Sequence, residues 1–516
     1  MRPFATMSAL LLAALSVADK PITITILHTN DLHAHIMPVN IAKKSYGGYA
    51  RQATLIKRFR ATDPNVVLLS AGDTFQGTLY FNIYEGLADA AILNTMGYDA
   101  ACIGNHEFDH GPVALSNFIK SVNFPVICSN LNLSKEPSLS NIVQPSTVLT
   151  VGGEKLGLVG AITPDVVTIS STGPTVSLND LTTSVQSAVD DLTKKGVNKI
   201  LLLTHVGYEE EMALATRLHD VDAIVGGHSH TPLGTPALPG WPDSKGAYPT
   251  IVKDATGQPV YIVQSWEWGK VFGRFKLSFD ASGHVTKVSD AAPIVVDSTI
   301  PEDPVVKSEI TAFERPLIAT QNLQVGTTAG PLTNAWGGAS LISQVISDGM
   351  LEAGAKQGAV AAFVNAGGVR SGLEAGKITY GQAITVQPFS NTLVILTLSG
   401  SELKAALEEG FKSADHAGGL LLPSKGTRYT LDRSQPAGSR ISHVIVAGQP
   451  LDLEKSYTVA LANFTANGGD AHDALKNAKG KRVDTGLVDI DTLVDYIKRH
   501  SPLDVKDEGR IREIGG

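Results

Sequence analysis

A two-domain α/β protein is what this 516-residue chain predicts, and three features carry that reading. Between Ile22 and about Val296, short apolar runs alternate with longer helical stretches, the pattern of a sheet covered by helices. From about Asp297 to Gln321 the character changes: Thr299-Ile300-Pro301-Glu302-Asp303 is a helix-start signal, and Pro304 to Leu317 reads as one linking helix. A further set of strands and helices then runs to the end. The predicted division is a leader over 1–18, a first domain over 19–298, a helical linker over 299–321 and a second domain over 322–516. A chain of this length, 43% hydrophobic and 18% charged, can bury two or three ordinary cores.

In order along the chain, Met1-Arg2-Pro3 and the apolar stretch from Met7 to Val17 have the form of a secretory signal. Ser16 and Ala18 stand at the −3 and −1 positions of a cleavage after Ala18. The expectation is a secreted or periplasmic protein; the alternative is a ragged N-terminus with no role. No other segment approaches the roughly 20 apolar residues that span a bilayer, and the tail lacks the hydrophobic tract of a lipid-anchor signal. No stable membrane anchor is expected. Five apolar runs then read as buried strands: Ile22 to Leu27, Val66 to Leu69, Ala100 to Ile103, Ile200 to Leu203 and Ala223 to Val225. Helical stretches between and around them include Gly48 to Arg60, Gly86 to Met96, Gly111 to Ser121, Val185 to Lys195 and Glu209 to His219. In the second domain the strands are Val360 to Val364, Leu393 to Leu398 and Tyr457 to Ala460. Its helices are Leu341 to Glu352, Gly400 to Glu409 and Asp489 to His500.

Cys102 and Cys128 both lie in apolar runs, so buried free thiols are expected, with a single bridge as the alternative. Asn132-Leu133-Ser134 and Asn463-Phe464-Thr465 match the glycosylation sequon. A net charge of −8 argues against a partner that is a nucleic-acid polymer, which needs a basic surface. It leaves room for a small anionic substrate held by a local cluster of cations.

Each of the five strand-like runs finishes on residues that can hold a metal: Asp31-Leu32-His33, Gly72-Asp73, Gly104-Asn105-His106-Glu107, Thr204-His205 and Gly226-Gly227-His228-Ser229-His230. Carboxyl ends of strands in an open α/β sheet converge on one crevice, where these side chains would meet. Hard divalent cations favour oxygen ligands, and imidazole suits zinc, manganese and iron. Asp73, with small residues before it, is the natural carboxylate to bridge two ions. Asp31 and His33, two apart, would face the same side of an extended segment, and His228 and His230 repeat that spacing. Singly, Asp-x-His is more often a surface or capping pair, Gly-Asp a turn, and His205 a satisfied core histidine. All five together point to a centre for two divalent metal ions.

The motifs His28 to His33, Ser70 to Asp73, Gly104 to Asp109, Thr204-His205 and Gly226 to His230 resemble the calcineurin-like metallophosphoesterase signature. Their particular forms resemble the 5′-nucleotidase branch. Asn365 to Arg370, Gln387 to Asn391 and Asn463 to Asp470 resemble that branch's C-terminal domain. The resemblance implies a four-layer α/β/β/α sandwich followed by an α/β substrate-binding domain. It implies one metal on Asp31, His33, Asp73 and His230, and a second on Asp73, Asn105, His205 and His228 (zinc, manganese, cobalt or magnesium). Many family members have Gln where His230 stands. His106 and Asp109 are the implied catalytic pair; the other reading of Asp109 is a cap ahead of Gly111-Pro112.

In the second domain, Arg370 is a planar fork suited to phosphate, Phe464 a face for a base to stack on, and Asn365 and Asp470 partners for sugar hydroxyls. Two departures stand out. Where nucleotidases of the family carry a second stacking Phe, this chain has Leu420 in Gly418-Gly419-Leu420. The stretch that carries arginines in them reads Pro331-Leu332-Thr333-Asn334-Ala335-Trp336-Gly337-Gly338 here. The implied activity is phosphoester hydrolysis, with nucleoside 5′-monophosphates as the leading substrate. Alternatives are 2′,3′-cyclic nucleotides, UDP-sugars and nucleoside di- or triphosphates. A non-catalytic nucleotide-binding or adhesion protein is the reading from another class, and loss of a metal ligand would favour it; none is lost.

Overall fold

The computed structural model describes residues 20–336, 338–411 and 417–515, so the signal-like stretch over 1–18 lies outside the described residues. Two sheets form the first domain. One runs in the order Val285–Ser289, Val271–Phe279, Ile22–Thr29, Val66–Ser70, Ala100–Cys102, Val126–Ile127. The other runs Thr250–Lys253, Pro259–Val263, Ala223–Val225, Ile200–His205, Glu154–Ile162, Ser146–Val151. Central strands are parallel, and antiparallel strands such as Val271–Phe279 and Ser146–Val151 finish the sheets.

Alternation along the strands separates two cores. Ile24, Ile26, Val67, Leu69 and Cys102 belong to the apolar cluster shared with the second sheet. Leu27, Leu68 and Ala101 point the other way, toward the helices Tyr49–Thr62, Leu87–Met96 and Gly111–Ser121. The helices Leu181–Lys194 and Tyr208–Ala215 pack on the second sheet. The result is the four-layer sandwich, and the expectation of one crevice in one sheet becomes a rim shared by two. The same alternation settles the cysteines. Cys102 pairs in register with Ile127, so Cys128 falls on the opposite face of the sheet; both are buried and free.

Most boundaries shift by a residue or two. The helix expected from Val185 begins at Leu181, because the Asp180 side chain accepts from Thr183 N and caps it. The linking helix covers Pro304–Glu314, capped by Asp303, and Pro316 stops it short of Leu317 because proline cannot continue the ladder. A second short helix follows at Ile318–Gln321. Lys57 Nζ lies 2.6 Å from Asp303 Oδ2, tying the linker to the first domain.

The second domain is built on a mixed sheet ordered Leu421–Pro423, Ala361–Asn365, Ser456–Ala462, Thr392–Ser399, Arg482–Val488. Leu341–Gly354 packs against this sheet and against Asp489–His500. A bidentate pair between Arg510 and Asp348, both contacts 2.8 Å, ties the last strand to that helix layer.

One buried carboxyl makes the fold pH-sensitive. Asp89 accepts from Tyr49 Oη at 2.8 Å, while its other oxygen has no hydrogen-bond partner, and burial pushes its pKa up to about 7. That lies above an unfolded aspartate, so its contribution to stability is full below the unfolded range, falls as pH rises toward 7 and is lost once the buried carboxyl ionises above it. Asp89→Asn removes this dependence. Relative to wild type, the variant should gain roughly 1–3 kcal/mol between pH 5 and pH 8.5 in urea denaturation. An equal offset at both pH values would contradict the assignment.

Candidate active site

Three strand ends of the first sheet and two of the second meet at one rim. His205 is the last residue of Ile200–His205, whereas Asp31, His33, Asp73, His228 and His230 lie just past their strands. Those five share left-handed backbone, with φ of 50°, 49°, 53°, 79° and 49°. This corrects the extended geometry expected for Asp31/His33 and His228/His230: tight left-handed turns bring each pair to one side. Non-glycine residues adopt this region at a cost, and it recurs at functional sites. Glycine makes room for Asp73. A Cβ on Gly104 would lie 2.3 Å from Asp73 Oδ1. Glu107 braces the same loops by accepting from Gly104 N, Asp73 N, Thr74 N and Phe75 N, at 2.6 to 3.1 Å.

The seven expected ligands fall together as two overlapping groups. Asp73 Oδ2 is 2.9 Å from His205 Nε2 and 3.8 Å from His33 Nε2. Toward one end, His230 Nε2 is 3.2 Å from Asp31 Oδ1 and 3.1 Å from His33 Nε2. Toward the other, Asn105 Oδ1 is 3.2 Å from His205 Nε2 and 2.8 Å from His228 Nδ1. Asp31, His33, Asp73, Asn105 and His205 are buried; His228 and His230 are half-buried.

Hydrogen bonds on the far ring nitrogens show what the near ones can do. His33 Nδ1 meets the Phe75 carbonyl at 3.1 Å, His205 Nδ1 the Ala71 carbonyl at 2.7 Å and His230 Nδ1 the Glu267 carboxylate at 2.5 Å. Each acceptor requires the proton on Nδ1, which leaves a lone pair on Nε2. Lone pairs of His33 and His230 thus face each other, and that of His205 faces two oxygens. Groups so arranged repel one another unless a second proton on one of the rings or a metal cation stands among them. The donor set fits divalent metals, and Asp73 lies where both groups share it.

Electrostatics give the same sign. Burial disfavours a charge on His205, but the Asp73 carboxylate outweighs it and lifts the pKa to about 10. Against the same burial, Asp31 and Glu267 lift His230 to about 9. His228, where burial dominates, is pushed down to about 3. The carboxylates of this rim favour positive charge, carried either by a second proton on the His205 and His230 rings or by a divalent cation that takes their Nε2 lone pairs.

His106 lies beside this centre, its ring 5.1 Å from that of His33. Its Nδ1 is 2.6 Å from Asp109 Oδ2, and burial is overridden by Asp109 and Asp73 to raise its pKa. Asp109 also accepts from Ser170 Oγ at 2.7 Å and Gln76 Nε2 at 3.2 Å. It makes no cap: the helix Gly111–Ser121 has His110 at its N-cap without a side-chain bond.

The second domain reaches over the rim. Arg370 Nη2 lies 3.5 Å from His33 Nε2, with its guanidinium 5.6 Å from the Trp336 ring centroid and 5.7 Å from that of Phe389. Phe389 also stacks on His106 at 5.7 Å. Asn365 Nδ2 donates to Asp470 Oδ2 at 2.8 Å. Phe464 is half-buried beside Gly469, where a Cβ would come within 2.5 Å of its ring. Leu420 is fully buried in the core, so no aromatic faces Phe464 from that position. Of the expected substrate contacts, Arg370 reaches a residue of the rim, His33. Reasoning from sequence missed Glu267, Phe389 and Trp336. Phe389 stood inside a noted motif; for Glu267 the signal was a carboxylate between two tryptophans, which spacing alone does not connect to His230.

Comparison with known proteins agrees with this geometry. Residues 24–232 match the calcineurin-like phosphoesterase family, and residues 320–477 match the 5′-nucleotidase C-terminal domain. The chain is 34% identical to the 5′-nucleotidase of Bos taurus, over 98% of this chain and 93% of that protein. It is 33% identical to the snake venom 5′-nucleotidase of Gloydius brevicauda, over 97% and 90%. Among solved structures, the 5′-nucleotidase precursor from Thermus thermophilus is similar at 41% identity and a TM-score of 0.92, covering 96% of this chain and all (100%) of that one.

His106→Ala should lower kcat by about 10²–10⁴-fold while bound-metal stoichiometry stays unchanged. Asp109→Asn, which keeps the ring in place but weakens its charge, should cost less than His106→Ala. Metal analysis alongside steady-state kinetics checks both, and loss of metal in His106→Ala would reassign it as a ligand.

Proposed function

The chain belongs to the 5′-nucleotidase family of calcineurin-like phosphoesterases and is a metal-dependent phosphoester hydrolase, and from that premise we propose its substrate and centre. It hydrolyses nucleoside 5′-monophosphates to nucleoside and phosphate, at a site holding two divalent cations. The observation that carries this reading is Arg370, a cation of the second domain 3.5 Å from a ligand of the first. A phosphate there would be held by the guanidinium on one side and the metal rim on the other.

Asp31, His33, Asp73 and His230 would hold one ion, and Asp73, Asn105, His205 and His228 the other. Two such ions would supply Lewis acidity and a water activated near neutral pH, so no covalent enzyme intermediate is required. His106, whose pKa Asp109 and Asp73 raise against burial, is placed to stabilise negative charge on the phosphoryl oxygens or to give a proton to the leaving oxygen. Arg370 orients the phosphate, and Phe464, Asn365 and Asp470 receive the nucleoside.

The cavity between the domains, lined by His33, His35, Trp268, Arg370 and Pro388 among others, has about 10 Å³. That suits about one water and no nucleotide. A nucleotide would enter this cavity only if the domains parted, and we place the hinge for that at the linker after Asp297. A second reading, hydrolysis of 2′,3′-cyclic nucleotides or nucleotide sugars, is favoured by Leu420, whose burial leaves the base platform one-sided. A secreted or periplasmic location rests on the signal-like N-terminus and on the venom relative; no helix among the described residues is long and apolar enough to cross a membrane.

A hydrolysis panel of AMP, ADP, UDP-glucose, 2′,3′-cyclic AMP and an aryl phosphate, in Mn²⁺, Zn²⁺, Co²⁺ and Mg²⁺, tests the substrate. AMP should give the highest kcat/KM, and no turnover in any metal would revive a binding-protein role. Asp73→Ala should reduce hydrolysis on the order of 10³-fold or more. Substantial activity of that variant in excess Mn²⁺ or Zn²⁺ would sink the shared-carboxylate scheme.

A further inference from the structure

The segment Ser265-Trp266-Glu267-Trp268-Gly269-Lys270 joins a strand of the second sheet, Pro259–Val263, to one of the first, Val271–Phe279. It crosses the rim beside the metal ligands. Trp266 and Trp268 both have φ of 57°, left-handed backbone that bulky residues rarely adopt. Their placement is held by the site itself. Trp268 N donates to Asp31 O at 2.7 Å, and the Trp266 carbonyl accepts from Asn30 Nδ2 at 2.6 Å. Asn30 Nδ2 in turn donates to Asp31 Oδ2 at 2.7 Å.

Between these tryptophans lies Glu267, and both its oxygens are engaged. Oε1 accepts from the buried Lys270 ammonium at 2.7 Å, and Oε2 meets His230 Nδ1 at 2.5 Å. The ammonium sits over both indoles, 3.5 Å from the Trp266 ring centroid and 4.3 Å from that of Trp268. A cation enclosed by two aromatic faces and one carboxylate has little freedom, and it fixes the carboxylate in turn. The line from the indole cage through Lys270, Glu267 and His230 ends at Asp31 Oδ1, 3.2 Å beyond the His230 ring.

His230 differs from its neighbours in this respect. The far nitrogens of His33 and His205 meet backbone carbonyls, whereas that of His230 meets a charged side chain. A carboxylate behind an imidazole orients the ring and increases its strength as a donor. His230 needs that support more, since its side chain is 22% exposed while His33 and His205 are buried.

We propose that Glu267, clamped by Lys270 between Trp266 and Trp268, is the positioning residue that makes His230 a strong metal donor. It thereby gives the Asp31/His33/Asp73/His230 half of the centre its hold on an imidazole-preferring ion such as Zn²⁺. This rests on the two-metal reading above. The lone pair directed at the ion is on Nε2, and the proton on Nδ1 stays with Glu267. Imidazole suits Zn²⁺, whereas Mg²⁺ favours all-oxygen surroundings, so the clamp also sets metal preference.

Titration calorimetry of the metal-stripped protein with Zn²⁺ tests the proposal. Wild type should bind two ions, and E267Q should weaken one of the two steps about 10–100-fold while sparing the other. In an H230Q background, the further change E267Q should shift affinity by no more than about 2-fold, because the ring through which Glu267 acts is gone. Equal losses from E267Q in both backgrounds, or no loss in either, would overturn the proposal while leaving the two-metal reading intact. Failure of wild type to bind Zn²⁺ or Mn²⁺ would sink both. Should E267Q unfold with Lys270 left unpaired, the pair K270M/E267Q removes that charge and is read in the same way.

Discussion

Everything at the site depends on the Asp73 carboxylate lying between imidazoles from different parts of the chain. His33 follows the first strand and His205 ends a strand of the other sheet, so one carboxylate joins the rims of both layers. Two sheets can meet there only because backbone comes close behind the carboxylate. Gly72 and Gly227 permit that approach: a Cβ on Gly72 would lie 2.9 Å from His205 Nδ1, and one on Gly227 2.8 Å from the Ala71 carbonyl oxygen. Glu107 then accepts from four backbone amides across the two loops, which fixes Asp73 relative to the Gly104–Glu107 turn. The apolar core between the sheets sets the distance over which this junction is made.

A centre built this way favours added positive charge, as ring protons or as a metal ion. The lone pairs of His33, His205 and His230 converge with the Asp31 and Asp73 carboxylates, and no lysine or arginine of the first domain pairs with those two carboxylates among the described residues. Left-handed backbone at five ligand residues adds strain of order 1–3 kcal/mol at each. Such strain persists where the surroundings over-determine the conformation, and here the Glu107 brace and the Trp266–Trp268 segment do so. Fold stability and metal geometry are therefore set by the same residues, which is why the Glu267 clamp belongs to the site rather than to the scaffold.

Much of this was legible in the sequence, for a physical reason. Strand-end ligands such as Thr204-His205 announce themselves because an apolar run must stop where a polar side chain is needed. Helices with caps were legible too, as Gly400–Glu409, capped by Ser399, shows. What escaped depends on contacts that no local pattern encodes. The partition of strands between two sheets is one case, since Val271–Phe279 returns beside Ile22–Thr29 from far along the chain. The left-handed turns at Asp31 and His33 are another, because alternation alone reads that pair as extended. Trp336 is a third. Its stretch looked depleted of phosphate-binding groups, yet the structure places its exposed indole beside Arg370.

The division of the site between domains follows from the same charges. Arg370 stands 3.5 Å from His33, a ligand of the rim. With two divalent cations bound, a guanidinium so close would be repelled unless an anion stood between them. A phosphate monoester is such an anion, and its oxygens can satisfy the metals and the planar fork together. Neither surface alone would hold it as well, since Arg370 belongs to the second domain and the proposed metal ligands to the first. Phe389, stacked on His106 and 5.7 Å from the Arg370 guanidinium, puts an apolar ring at the junction. In the proposed reaction the substrate's own charge would thus link the two halves of the site.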